Sequence, residues 1–167
     1  MKLSEELFKQ VLRDTVLVSL DLLIVNERRE VLLGKRRNRP ARGYWFVPGG
    51  RIYKGETPEN ALVRISEQEI GVELNPKSAI LHGVYHHLHA DNFFDDAEIG
   101  ATQYLVIACL FRSNFQIASM NGGQHEELCF FPISDVAAHP EIHELTKYYF
   151  CERPPNAFLT SGFPLLS

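Results

Sequence analysis

Cysteine is scarce in this chain and follows no pattern. Cys109, Cys129 and Cys151 are odd in number and far apart, which matches neither a zinc-ligand spacing nor a disulfide framework and points to a reducing cytoplasm. Long apolar runs are also lacking. No segment approaches the ~20 apolar residues of a membrane span, and the start, Met1-Lys2-Leu3-Ser4-Glu5-Glu6, carries charge where a secretion signal needs an apolar stretch. A soluble cytoplasmic protein with no membrane partner is expected. Neither charge sign dominates: 17 basic residues against 21 acidic leave a net charge of −4, which gives no reason to expect a nucleic-acid partner. Internal repeats and low-complexity blocks are missing.

What is present is enough apolar material for a real core. With 167 residues, 45% of them hydrophobic, one domain spanning 1–167 is expected, with its core over about 15–150. The chain is organised around residues 48–71. A strand-like run, Tyr44-Trp45-Phe46-Val47, stops at Pro48-Gly49-Gly50, where proline cannot extend a central ladder and glycine opens other backbone angles. Thr57-Pro58-Glu59 then reads as a helix start, with a threonine cap, a first-turn proline and an acid at the positive end of the dipole. Gly71 closes that helix.

Glu69 is the informative residue of this unit. At about 100° per residue, Ala61, Ile65, Glu69, Leu62 and Ser66 share one arc, so Glu69 lies in the middle of the apolar face. A carboxylate buried there needs a cation or strong donors. An arginine could serve, and so could a divalent metal with oxygen ligands such as Mg²⁺.

The stretch resembles the Nudix box, G-x5-E-x7-R-E-U-x-E-E-x-G-U with U apolar, through Gly50, Glu56, Arg64, Glu69, Gly71 and Val72. It departs from the box at Ile65, where a glutamate is usual, and at Gln68, which replaces the first acid of the Glu-Glu pair. Those acids ordinarily help hold metal ions and activate water in Nudix pyrophosphatases. The altered box is similar to that of GDP-mannose mannosyl hydrolases, which use one Mg²⁺ and cut at the sugar carbon. Leu17-Val18-Ser19-Leu20-Asp21, Asn38-Arg39-Pro40-Ala41, Gly43 to Arg51, Asp91-Asn92-Phe93 and Gln124-His125 carry the same resemblance, over roughly residues 8–150.

The resemblance implies an α/β fold, the Nudix α/β/α sandwich with a mixed β-sheet between helices. It also implies hydrolysis of GDP-mannose, with GDP-glucose as a second candidate, to GDP and free hexose with inversion. One Mg²⁺, replaceable by Mn²⁺, is implied on Glu69, Gln124 and the Gly49 carbonyl. His125 is implied as general base, a role that histidine's unperturbed pKa of about 6.5 suits. Read from composition alone, His125 is simply an exposed loop histidine. Two other readings keep the box: a nucleoside diphosphate sugar pyrophosphatase attacking phosphorus, and a non-catalytic nucleotide-sugar sensor.

Along the chain, residues 4–13 read as a short helix with Leu7, Phe8, Val11 and Leu12 on one side. That stripe packs on its own domain or on a partner, and the resemblance implies a homodimer contact within 1–14. Val16 to Val25 is a strand buried on both faces, which makes Asp21 inside it conspicuous. By itself it reads as a strand residue facing solvent or an arginine; by resemblance it belongs to the active site. Glu30 to Lys35 is the returning strand. It runs into Arg36, Arg37, Arg39 and Arg42, either a solvated basic loop or guanidiniums gripping a diphosphate. The resemblance picks out Arg36 and Arg51 for the leaving group.

Ala79 to about His87 reads as a strand. Alternation puts His87 and His89 on one face with His82 and His86 on the other, and no acids or cysteines accompany them to make a zinc site. His87 matches a histidine near the substrate. Thr102 to Arg112 is another buried strand, in which Tyr104 either caps the core or, by resemblance, donates to the nucleotide phosphate. Residues 113–127 are expected as a loop, 128–131 as a short strand, Glu141 to Phe150 as the last helix, and 154–167 as an irregular tail.

Overall fold

The strand Leu17–Val25 (β1) is the spine on which the sheet is laid. It is leucine-rich and β-branched, and all but Val18 of its residues are buried, as expected for a strand covered on both faces. The computed structural model describes residues 3–113 and 125–161, with only the backbone at His125 and Glu126.

Preceding β1 is the helix Glu5–Asp14 (α1), capped by Ser4, whose hydroxyl accepts from the Leu7 amide at 3.4 Å. After β1 come Glu30–Arg36 (β2), Trp45–Phe46 (β3), Gly49–Arg51 (β4), the helix Pro58–Ile70 (α2), Ile80–His89 (β5) and Thr102–Arg112 (β6). His125–Pro132 (β7), the short helices Ile133–Val136 (α3) and Glu144–Tyr148 (α4), and Ala157–Thr160 (β8) complete the order. Among the described residues the sheet has eight strands in the order β3-β2-β1-β6-β5-β8, with β4 on β1 and β7 on β2. β1 and β6 run parallel from Leu17↔Tyr104 to Val25↔Arg112, while the other pairings are antiparallel, so the sheet is mixed.

Two apolar layers flank it. On one face Leu20, Leu22, Ile24 and Phe111 pack against Ala61, Leu62, Ile65 and Ile70 of α2. On the other, Leu23, Leu33, Val106 and Leu110 meet Ile133, Val136, Ile142, Leu145 and Tyr149 of the α3–α4 region. This is the expected α/β/α sandwich. No helix among the described residues is long and apolar enough to cross a membrane.

Several local expectations change. Residues 157–160 are not irregular: β8 pairs with β5 through Gly83↔Thr160 and Tyr85↔Ala157, a backbone ladder that needs no hydrophobic period. β7 begins at His125 rather than Leu128, because that backbone pairs with Arg36 of β2. The last helix begins only at Glu144. Before it the chain is extended against Trp45, whose amide donates to Glu141 O at 2.9 Å and whose carbonyl accepts from the His143 amide at 3.1 Å. His82 does not share a face with His86. A bulge between Leu81 and Gly83 turns it inward, stacked on Tyr85 and bonded through Nε2 to the Tyr149 carbonyl at 3.0 Å, while His86 is exposed. Helix α1 packs on its own sheet, with Phe8, Val11 and Leu12 against Leu17 and Ile99, leaving Leu7 outward.

Candidate active site

The box helix forms as its sequence dictates. The Thr57 hydroxyl accepts from the Asn60 amide at 3.3 Å, Pro58 opens the first turn, and Gly71 ends the helix at φ 68°. Its buried face presents Ala61, Leu62, Ile65, Ser66, Glu69 and Ile70. β4 comes close to it because it carries glycine. A Cβ on Gly50 would stand 3.1 Å from Ile65, and one on Gly49 would fall on Asp21 Oδ1 and 2.8 Å from the Leu20 carbonyl.

This close approach shapes a cavity of about 340 Å³. Its lining includes Gly49, Gly50 and Arg51 of β4, Gln68 and Glu69 of α2, Arg36 of β2, Tyr104 of β6, and also Asp21, Phe46, His87 and His89. Of the residues picked out from sequence, Asp21, Arg36, Gly49, Arg51, Glu69, His87 and Tyr104 all line this one cavity. Gln124 lies outside the described residues. The His125 backbone stands opposite Arg36 in the β2–β7 ladder, next to a cavity residue.

The two departures from the box have distinct surroundings. Ile65 is buried against Gly50 and the apolar layer and puts a hydrocarbon side chain in the cavity wall. Gln68 is exposed and accepts from Arg64 Nη1 at 3.2 Å. Arg64 is otherwise committed to Glu56, through Nε–Oε1 at 2.6 Å and Nη2–Oε2 at 2.9 Å, and to the Arg51 carbonyl at 2.8 Å. These bonds, first of all the one from Arg64, hold the Glu56 carboxyl down at about 2.

Glu69 is 5% exposed yet reaches the cavity beside Gly49 and Gly50. Among the described residues no cluster of three or more histidine, cysteine or acidic side chains is arranged for a metal ion. Asp21 shares the cavity but is engaged by Tyr149, which leaves the Glu69 carboxylate and the Gly49 carbonyl as a hard, oxygen-only donor set. It fits a single Mg²⁺-like cation whose shell is completed by substrate oxygens, and fits a multi-metal cluster poorly.

The cationic side is tuned by aromatic rings. Arg36 lies over Phe46 at 5.7 Å, and Arg51 lies over Phe8 at 4.1 Å. Burial raises the Tyr104 hydroxyl's pKa, with Arg36 and Arg51 pulling the other way. Arg39, another arginine of the basic run, bridges two acids of the 91–96 turn, Asp91 and Asp95, both at 3.1 Å. Asp21 is neither solvent-facing nor paired simply with an arginine. It is 7% exposed and accepts from the Tyr149 hydroxyl at 2.6 Å, and burial raises it to about 6 against that bond and Arg36. Burial also depresses His87 and His89 to about 3, so both imidazoles are neutral near pH 7.

Sequence reasoning missed Phe46, His89 and Tyr149 as site residues. The shared parity of His87 and His89 was a usable signal for His89. Tyr149 carried none, since its helical spacing marks only a core position.

Known proteins resemble this chain in sequence and fold. A family model described as NUDIX domain matches residues 16–152. The low-salt glycan biosynthesis protein Agl8 of Haloferax volcanii is 33% identical over 144 residues, covering 84% of this chain and 86% of that protein. The ADP-ribose pyrophosphatase of Methanocaldococcus jannaschii is 44% identical over 62 residues, which span only 37% of this chain and 36% of that protein. The crystal structure of a MutT NUDIX hydrolase from Burkholderia pseudomallei superposes with a TM-score of 0.65 at 26% identity, covering 81% of this chain and 96% of that one.

Proposed function

The chain belongs to the NUDIX hydrolases, and from that membership we propose that it hydrolyses GDP-hexoses, GDP-mannose first among them, to GDP and free hexose. The observation that carries this reading is the imbalance of the cavity. Two buried carboxylates, Glu69 and the Asp21 already held by Tyr149, share it with two arginines and a tyrosine, while Ile65 and Gln68 stand where acids would hold further ions. Such a site is better equipped to stabilise a departing diphosphate than to activate water on a metal cluster. The part in glycan biosynthesis that Agl8's name gives it accords with a sugar nucleotide substrate.

Members of the family generally use divalent metals such as Mg²⁺. Glu69, the Gly49 carbonyl and the Gln124 side chain would hold one ion here, whose positive charge offsets that of the diphosphate. Arg36 and Arg51 bind the diphosphate oxygens, and Tyr104 donates to them. His125 accepts a proton from water as the water oxygen bonds to the anomeric carbon from the face opposite GDP. The bond from that carbon to the β-phosphate oxygen breaks, its electron pair leaves with GDP, and the configuration inverts. We propose a cytoplasmic homodimer as the working form.

The partial match to an ADP-ribose pyrophosphatase favours a second reading, attack at phosphorus. Hydrolysis in ¹⁸O-water separates the two. Label in the free hexose, with GDP unlabelled, supports carbon attack; label in GMP or hexose phosphate replaces it with the pyrophosphatase reading. Binding of GDP-mannose with no turnover under any divalent metal leaves a sensor.

A further inference from the structure

Tyr149, the residue just after α4, is 2% exposed and packs its ring edge-on against Tyr85 at 4.7 Å. Its hydroxyl stands between two cavity residues, 2.6 Å from Asp21 Oδ2 and 3.1 Å from His87 Nε2. A phenol has one proton to give. The shorter contact, to a carboxylate, takes it, as charge-assisted bonds do. The phenol oxygen can then only accept from His87, so the proton between them sits on Nε2 and Nδ1 is left as a lone pair. Burial keeps that imidazole neutral, which such a tautomer requires.

We propose that Tyr149 is a positioning residue of the site: its hydroxyl holds the Asp21 carboxylate in place and locks His87 as the Nε2–H tautomer. The cavity then meets an imidazole whose second nitrogen accepts and cannot donate. That suits a group offering hydroxyl protons, such as the hexose of the proposed substrate, and this part rests on the GDP-hexose reading. The plain alternative is that Tyr149 merely glues the chain after α4 to the sheet.

The test has a spectroscopic and a kinetic arm. In protein labelled with ¹⁵N-histidine, long-range ¹H–¹⁵N correlation at pH 7, assigned by the signal lost in His87→Gln, is expected to give a protonated Nε2 and a bare Nδ1. Tyr149→Phe keeps the ring against Tyr85 and removes only the hydroxyl. It should turn the His87 pattern into a mixture of tautomers and lower kcat on GDP-mannose about tenfold or more, with KM changed less, as misorientation costs the transition state most. Tyr148→Phe, on the adjacent residue, should leave both unchanged. A native Nδ1–H tautomer, an unaltered His87 pattern in Tyr149→Phe, or an unaltered kcat overturns the proposal. Should Tyr149→Phe not fold, the native spectrum alone decides. Should GDP-mannose not be turned over, the substrate reading falls, and the tautomer at His87 still upholds or overturns the role of Tyr149.

Discussion

Arg64 grips Glu56 with two parallel bonds, Nε to Oε1 at 2.6 Å and Nη2 to Oε2 at 2.9 Å, and both side chains are mostly shielded from solvent. The pair fastens the loop before α2 to the middle of that helix, and the Tyr53 amide adds a third bond to Glu56 Oε2 at 2.9 Å.

The pair sets one limb of acid stability. The Glu56 carboxyl is lowered from 4.5 to about 2 in the folded protein, so its contribution is fully present above about pH 4.5 and is lost as pH falls through about 2. Screening by solvent at this partly hydrated pair brings its contribution down to about 1 kcal/mol. Urea titrations of Glu56→Gln should show lower stability at pH 7 and a shallower decline between pH 4.5 and 2 than the native chain.

His89 sets another limb. Its folded pKa is depressed to about 3 by burial, with His143 and Arg36 adding to the effect. The unfolded chain therefore takes up its proton first, and stability falls as pH drops from about 6.5 towards 3. In His89→Gln, thermal midpoints measured across that window should decline less steeply.

Replacing Glu69 by glutamine keeps the shape and removes the charge. Isothermal titration with Mn²⁺ in the presence of GDP should show affinity at least about tenfold weaker. Losing a mere outer-shell partner of a metal ligand already costs ~10-fold, and here a hard cation loses a charged oxygen ligand. Chelation with EDTA should abolish turnover in the native protein and added Mg²⁺ restore it. Unchanged Mn²⁺ affinity in Glu69→Gln would remove the metal from that carboxylate.

His125→Ala should lower kcat on GDP-mannose by about 10²–10⁴, the usual span for losing a general base. Mn²⁺ affinity should stay near the native value. Equal losses in both would make His125 a ligand rather than a base.

Gly49→Ala should destabilise the protein by about 1–3 kcal/mol, because the new methyl meets the Asp21 carboxylate and the Leu20 carbonyl. Guanidinium titration against Gly43→Ala, where the added carbon meets nothing within 4 Å but sits at φ 86°, separates crowding from backbone strain.

The α2 helix was legible to the residue because its signals are local: Thr57, Pro58 and Gly71 act on their own neighbours. The burial of Glu69 followed from helical period alone. The meeting of Asp21, Arg36, Arg51 and Tyr104 was reachable only by family resemblance, since their proximity depends on strand order rather than spacing. Tyr149 escaped altogether: its bonds to Asp21 and His87 cross 128 and 62 positions of chain, and nothing near it marks a hydroxyl that matters. His82 was misplaced because a bulge breaks the alternation on which parity arguments rest, and β8 was missed because an edge strand needs backbone pairing but no apolar pattern.

Arg39 joins the loop after β2 to the turn at 91–96 by gripping Asp91 and Asp95, in the open where dissolved ions compete for the same charges. Brine should slacken that clasp and loosen Arg39, a residue of the cavity wall. Michaelis constants for this protein will therefore drift with the buffer's ionic strength even when the reacting groups are untouched.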